Sequence, residues 1–212
     1  MIILYDHFNE VISLVEFIVF EEGMQVSGAA IMSVIDGMRS FDSIARAFLN
    51  QSGLPDDLIP DTEHWYSQQK WLDAFKLISE KVGFKTLFVI GTKIPENAVF
   101  PKDIDNVEKA LASIDIAYHM NHKNAQGEIL FDPSRPPGQE MKEGIGHYGF
   151  EKIAEENKAV IICNNPYPCD FDSGIISAMA KRFSYSSKVT HDDTQPCRKK
   201  GANSCTYIAT WK

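Results

Sequence analysis

The apolar positions of this chain recur mostly at helical spacing, with shorter runs that read as strands. Gln68 to Val82 is the clearest helix. Trp71, Leu72, Phe75, Ile78 and Val82 fall on one face, and Gly83 closes the segment. A second helix is predicted from Ile104 to His122, with the stripe Val107, Leu111, Ile114, Tyr118. Upstream, Ile31, Val34, Ile35, Met38, Ala45 and Phe48 recur near helical spacing behind a candidate cap, Ser27, with a break around Met38 to Phe41. A third helix is predicted from Phe171 to Phe183, capped by Asp170 or Asp172 and burying Ile175, Ile176, Met179 and Phe183.

Six runs read as strands. Leu14 to Phe20, Thr86 to Gly91 and Ala159 to Cys163 are short and apolar. Ile129 to Phe131 and Ser187 to His191 are shorter. Thr206 to Trp211 alternates, placing Cys205, Tyr207, Ala209 and Trp211 on one side. Lys93 to Pro101 and Asp132 to Gly146, rich in proline and glycine, read as loops. Helices and strands mix without strict βαβ alternation. The expectation is an α+β fold with a mainly antiparallel sheet, and a strand-helix extension (1–56) before the main domain (57–212).

Composition narrows the function classes. With 44% hydrophobic and 24% charged residues the chain is an ordinary globular protein, and a net charge of −8 argues against a nucleic-acid surface. Asp6, Glu10, Glu16, Glu21 and Glu22 interrupt the apolar start, so neither a signal peptide nor a membrane span is expected. A cytoplasmic location, with reduced thiols, follows as the expectation.

All four cysteines lie in the last third. Cys169 precedes a helix, where the dipole favours thiolate. Cys197 and Cys205 bracket a basic turn containing Gly201, and His191 lies six residues before Cys197. Three thiols and one imidazole form a set suited to tetrahedral zinc. The bland alternative is a pair of small buried residues around a solvated turn. Cys163, in an apolar strand, reads as core.

Those features resemble the 4-vinyl reductase domain family, which includes the zinc-containing sensor domains of phenol-responsive bacterial activators. The resemblance rests on Cys169, the Cys197–Cys205 spacing, Gly201 and the terminal aromatic strand. It implies a fold shared with a vesicle-tethering (TRAPP) subunit and with haem nitric-oxide sensors. It also implies zinc on the three cysteines. The relatives' fourth ligand, a glutamate before the second cysteine, is missing here. His191 and Asp193 are the alternatives, and charge favours His191: three thiolates and a neutral imidazole leave the site at net −1.

Trp65, Trp71, His119, His122, His147 and Tyr148 are the candidate lining of a pocket with polar handles. The plain reading of His119 and His122 is capping of a helix end. The nearest stretch to the haem sensors' Tyr-x-Ser-x-Arg motif is Tyr185 to Val189, with valine in place of arginine, which argues against haem. No dinucleotide fingerprint and no nucleophile constellation is present, so an enzyme is not expected. The resulting expectation is a zinc-stapled, dimeric sensor of a small hydrophobic or aromatic molecule that signals through a partner. A tethering module is the alternative, ahead of a tetrapyrrole vinyl reductase or a haem sensor.

Overall fold

The computed structural model describes residues 16–134, 138 and 140–212. In chain order the elements are β1 (Gln25–Ser27), α1 (Gly28–Gly37), α2 (Asp42–Gln51), β2 (Trp65–Ser67), α3 (Gln68–Lys81), α4 (Phe84–Asn97) and α5 (Val107–Met120). There follow β3 (His122–Lys123), β4 (His147–Lys152), β5 (Lys158–Asn164), α6 (Cys169–Lys181), β6 (Lys188–His191) and β7 (Cys205–Thr210). Two antiparallel sheets form, ordered β2-β1-β3 and β4-β5-β7-β6. The α+β expectation holds.

Local chemistry sets the helix starts. Ser27, Ser67 and Asn106 each accept a backbone N–H through a side-chain oxygen, capping α1, α3 and α5. The break after α1 is a short 3-10 turn, Arg39–Phe41, within the interval the sequence marks. Helix α6 differs from expectation: its cap is Pro168, with no side-chain cap bond, and Asp170 and Asp172 lie in its first turn.

The apolar run after Gly83 is a helix, not a strand. In α4, Leu87, Ile90, Gly91 and Ile94 are the buried positions, spaced three, four and seven residues from the first. Gly91 explains the choice. A Cβ there would stand 2.2 Å from the Phe171 carbonyl oxygen, and one at Gly174 would stand 2.2 Å from that of Phe88. Helices α4 and α6 therefore meet backbone to backbone. The first strand expectation is also corrected where it can be seen. Glu16 to Phe20 forms turns and bends, while Leu14 and Val15 lie outside the described residues.

The core is continuous. Ile31 and Val34 of α1 join Trp71, Phe75 and Ile78 of α3, Leu111 and Ile114 of α5, and Ile175, Ile176 and Met179 of α6. The apolar face of α1 is thus used inside the chain. In the apolar run before it, Ile18 and Phe20 stay exposed, and Leu14 and Val15 lie outside the described residues. Strand β7 alternates as predicted, with Cys205, Tyr207 and Ala209 buried; β5, read only as an apolar run, alternates too, with Ala159, Ile161 and Cys163 inward and Ile162 44% exposed.

Candidate functional site

Strands β6 and β7 pair with His191 opposite Tyr207, and the connection between them carries Cys197 to the start of β7. Cys169 opens α6 beneath that connection. The Sγ atoms of Cys169 and Cys205 are 2.9 Å apart, those of Cys169 and Cys197 3.5 Å, and those of Cys197 and Cys205 3.7 Å. One ligand atom from each of Cys169, His191, Cys197 and Cys205 lies within 4.8 Å of all the others. His191 is tied through Nδ1 to Asp193 at 2.9 Å, and its Nε2 is buried with no partner. Of the two alternatives for the fourth position, His191 joins the thiols and Asp193 supports it from outside. Carboxylate-backed imidazoles of this kind recur at metal sites.

The electrostatics of the cluster come from its own hydrogen bonds. The Cys205 thiol is held down to about 4, first by the hydrogen bond with Cys169 and then by the Arg198 guanidinium. Cys169 is pushed up for the complementary reason, as donor to that sulfur, and by burial. The helix end is also occupied: the Glu16 carboxylate accepts the Cys169 N–H at 2.8 Å.

The basic turn is not a solvated one. Arg198 is fully buried and ion-paired with Asp172, which is also fully buried, and it donates to the Asn165 carbonyl. Tyr148 donates to the same Asp172 at 2.6 Å. Lys199 pairs with Asp170 and stands 4.3 Å from the centroid of the Phe84 ring. Cys163 is fully buried on β5, the core position expected of it.

A second site lies in the core. A cavity of about 40 Å³ is lined by Trp71, Tyr118, His122, Tyr148, Tyr167 and Phe171 among others. Its polar edge is a directed chain. Gln68 Nε2 donates to the Tyr167 hydroxyl at 3.1 Å, Tyr167 donates to His122 Nε2 at 2.7 Å, and His122 Nδ1 donates to the Tyr118 carbonyl at 2.7 Å. Burial keeps His122 neutral and lowers its pKa to about 3. Trp71 Nε1 and Gln68 Oε1 are buried there without partners.

Of the six predicted pocket residues, Trp71, His122 and Tyr148 line this cavity. Trp65 does not: it stands on β2 with the Lys123 ammonium 4.3 Å from its ring centroid. His119 and His147 do not either, and stack on each other where α5 meets β4. Tyr167 and Phe171 were missed. Tyr167 sits in the proline turn before α6, where no periodicity marks it as inward-facing.

No family model and no curated protein matches the chain. Solved structures do. One is an H-NOX protein from S. oneidensis in the Fe(II)NO ligation state, at TM-score 0.60 and 13% identity over 88% of this chain and 99% of that one. Another is an oxygen-binding H-NOX domain related to soluble guanylate cyclases, at TM-score 0.53 and 14% identity over 87% and 92%. A third, described by the modulation of haem redox potential through porphyrin distortion, gives TM-score 0.56 at 14% identity over 87% and 92%. The fold is the H-NOX fold. The expectation of zinc as the chain's cofactor is corrected by this likeness, because these neighbours are described by iron, haem and their ligands.

Haem does not fit the cavity beside His122 as it is folded here. Pockets for drug-sized ligands run to roughly 300–1,000 Å³, against about 40 Å³ in this cavity. Rings of Trp71, Phe75, Tyr167 and Phe171 pack at centroid distances of 4.7 to 6.2 Å and fill the space. Both nitrogens of His122 are engaged, leaving no lone pair for iron. Tyr185, in the stretch nearest the Tyr-x-Ser-x-Arg motif, is 92% exposed.

Proposed function

We propose that this chain is a sensor domain for a small, largely apolar molecule, bound in the cavity beside His122. The observation that carries the reading is the pairing of an apolar cavity with convergent polar groups. The His122–Tyr167 pair offers a handle for one polar group of a ligand, and Trp71 Nε1 is a donor still to be used. As folded, the cavity sets a ceiling of a few heavy atoms. A ring-sized ligand requires Tyr167 or Trp71 to swing aside.

The finer kinship, with the 4-vinyl reductase family, is supported by the turn chemistry of the tail. Gly201 stands at φ 81°, a left-handed position that favours glycine. Cys169, His191, Cys197 and Cys205 belong to this reading as a closed metal-ligand set. Elemental analysis of the purified protein reads which ion they take. Among the described residues no helix is long and apolar enough to cross a membrane.

Trp71 supplies the test. With Trp65 and Trp211 replaced by phenylalanine, its fluorescence reports the cavity during titration with short alcohols and with phenol. A saturable response is expected, lost when Ala98→Leu fills the cavity. The absence of saturation with every probe, or a response unchanged in Ala98→Leu, overturns the reading.

A further inference from the structure

We infer a second metal site, separate from the thiol cluster, formed by Asp115, His119 and His147 where α5 meets β4. Asp115 and His119 are four residues apart on α5 and share a face. His147 opens β4 and is brought to that face by its neighbour, since the Tyr148 N–H donates to Asp115 Oδ1 at 2.8 Å. His147 Nδ1 lies 3.1 Å from Asp115 Oδ2. The two imidazoles stack at 4.9 Å with 29° between their planes. One ligand atom from each of the three residues lies within 4.8 Å of the other two.

An ordinary ion pair leaves one feature of this group unexplained. His119 is fully buried, and its Nδ1 donates to the Asp115 carbonyl at 2.8 Å. That bond fixes the tautomer and puts the lone pair on Nε2. Nε2 is buried without a partner. A buried acceptor left unmet is costly, and a metal ion is the partner an unprotonated ring nitrogen takes most readily. A carbonyl holding the other ring nitrogen is the usual support of a metal-bound histidine, and the Tyr148 N–H does the same for the carboxylate.

Access is built in. The His147 side chain is 41% exposed and its Nε2 contacts the exposed Glu143 carboxylate at 3.1 Å. His147 can therefore turn to close the ligand set while water keeps the remaining positions. The ion takes the place of the hydrogen between His147 Nδ1 and Asp115, and the imidazole keeps its N–H on Nε2, donating to the Glu143 carboxylate. Two imidazoles and one carboxylate with open positions suit a divalent first-row transition ion rather than calcium or magnesium.

Manganese(II) is the probe, because thiolates hold it poorly and the thiol cluster stays out of the measurement. Loss of the free-ion electron paramagnetic signal is titrated against the intact chain. The expected result is one bound Mn(II) per chain. Affinity should fall at least tenfold in Asp115→Asn and in His147→Ala, and stay unchanged in Cys197→Ser. His147 is solvent-facing, so His147→Ala keeps the fold, which circular dichroism checks. No binding by the intact chain, or binding that survives both substitutions, overturns the inference.

Discussion

Arg198 and Asp172 form an ion pair sealed from solvent on both sides, beside the cluster of three thiols. The pair ties the β6–β7 connection to α6, and Tyr148 adds β4 through its hydrogen bond to Asp172. Removing one partner strands a buried charge. Asp172→Asn should cost about 3–5 kcal/mol by denaturant unfolding. Replacing both with apolar residues, Asp172→Leu with Arg198→Met, should recover much of that loss. A double variant no more stable than the single one would sink the account.

Acid should unfold the protein through His122. Its folded pKa, about 3, lies below the ordinary value of 6.5 because burial opposes the charged ring. The unfolded chain therefore binds the extra proton first. Stability is intact above pH 6.5 and declines as pH falls through 6.5 towards 3, by roughly 4–5 kcal/mol in full. His122→Asn should flatten the pH dependence of unfolding between 6 and 4. An unaltered slope in that variant would place the acid sensitivity elsewhere.

The α4–α6 crossing tolerates no side chain. Gly91→Ala would drive a Cβ against the Phe171 carbonyl, and Gly174→Ala against that of Phe88. Each should lower stability by about 1–3 kcal/mol or more, the range of overpacked cores. Gly127→Ala serves as control for added bulk, because nothing lies within 4 Å of its Cβ; it costs only what the strained φ of +77° imposes. Thermal unfolding of the three variants ranks them.

Haem should not be retained. Incubation with haemin, followed by desalting, should leave no stoichiometric Soret absorbance. A sharp band at one haem per chain would show that the aromatic cluster around Tyr167 opens, and would refute the packing argument.

Much of the fold is legible in residue spacing. Strong stripes such as Trp71, Leu72, Phe75 and Ile78 fix α3, and alternation from Cys205 to Ala209 fixes β7. The reading failed at Thr86 to Gly91, where a short apolar run suits strand and helix alike. Only the partner helix, with its own glycine at 174, decides that case, and it lies far off in sequence. The thiol cluster was readable because cysteines are few and their spacing is informative. The cavity was not. Tyr167 owes its place to a turn, and His119 and His147 were grouped with His122 although a ring's direction is invisible in a sequence. Arg198 looked like surface because Lys199 and Lys200 follow it. Its carboxylate partner stands 26 residues earlier.

The glycine crossing also decides how such a domain can move. Side chains between two helices act as bearings: they change rotamer and let one helix roll over the other. Between Gly91 and Gly174 there are none. There the backbones of α4 and α6 themselves are in contact, with no side chain to act as a spacer. The cavity wall includes Ile94 of α4 and Phe171 of α6, so a molecule seated there touches both helices of the crossing.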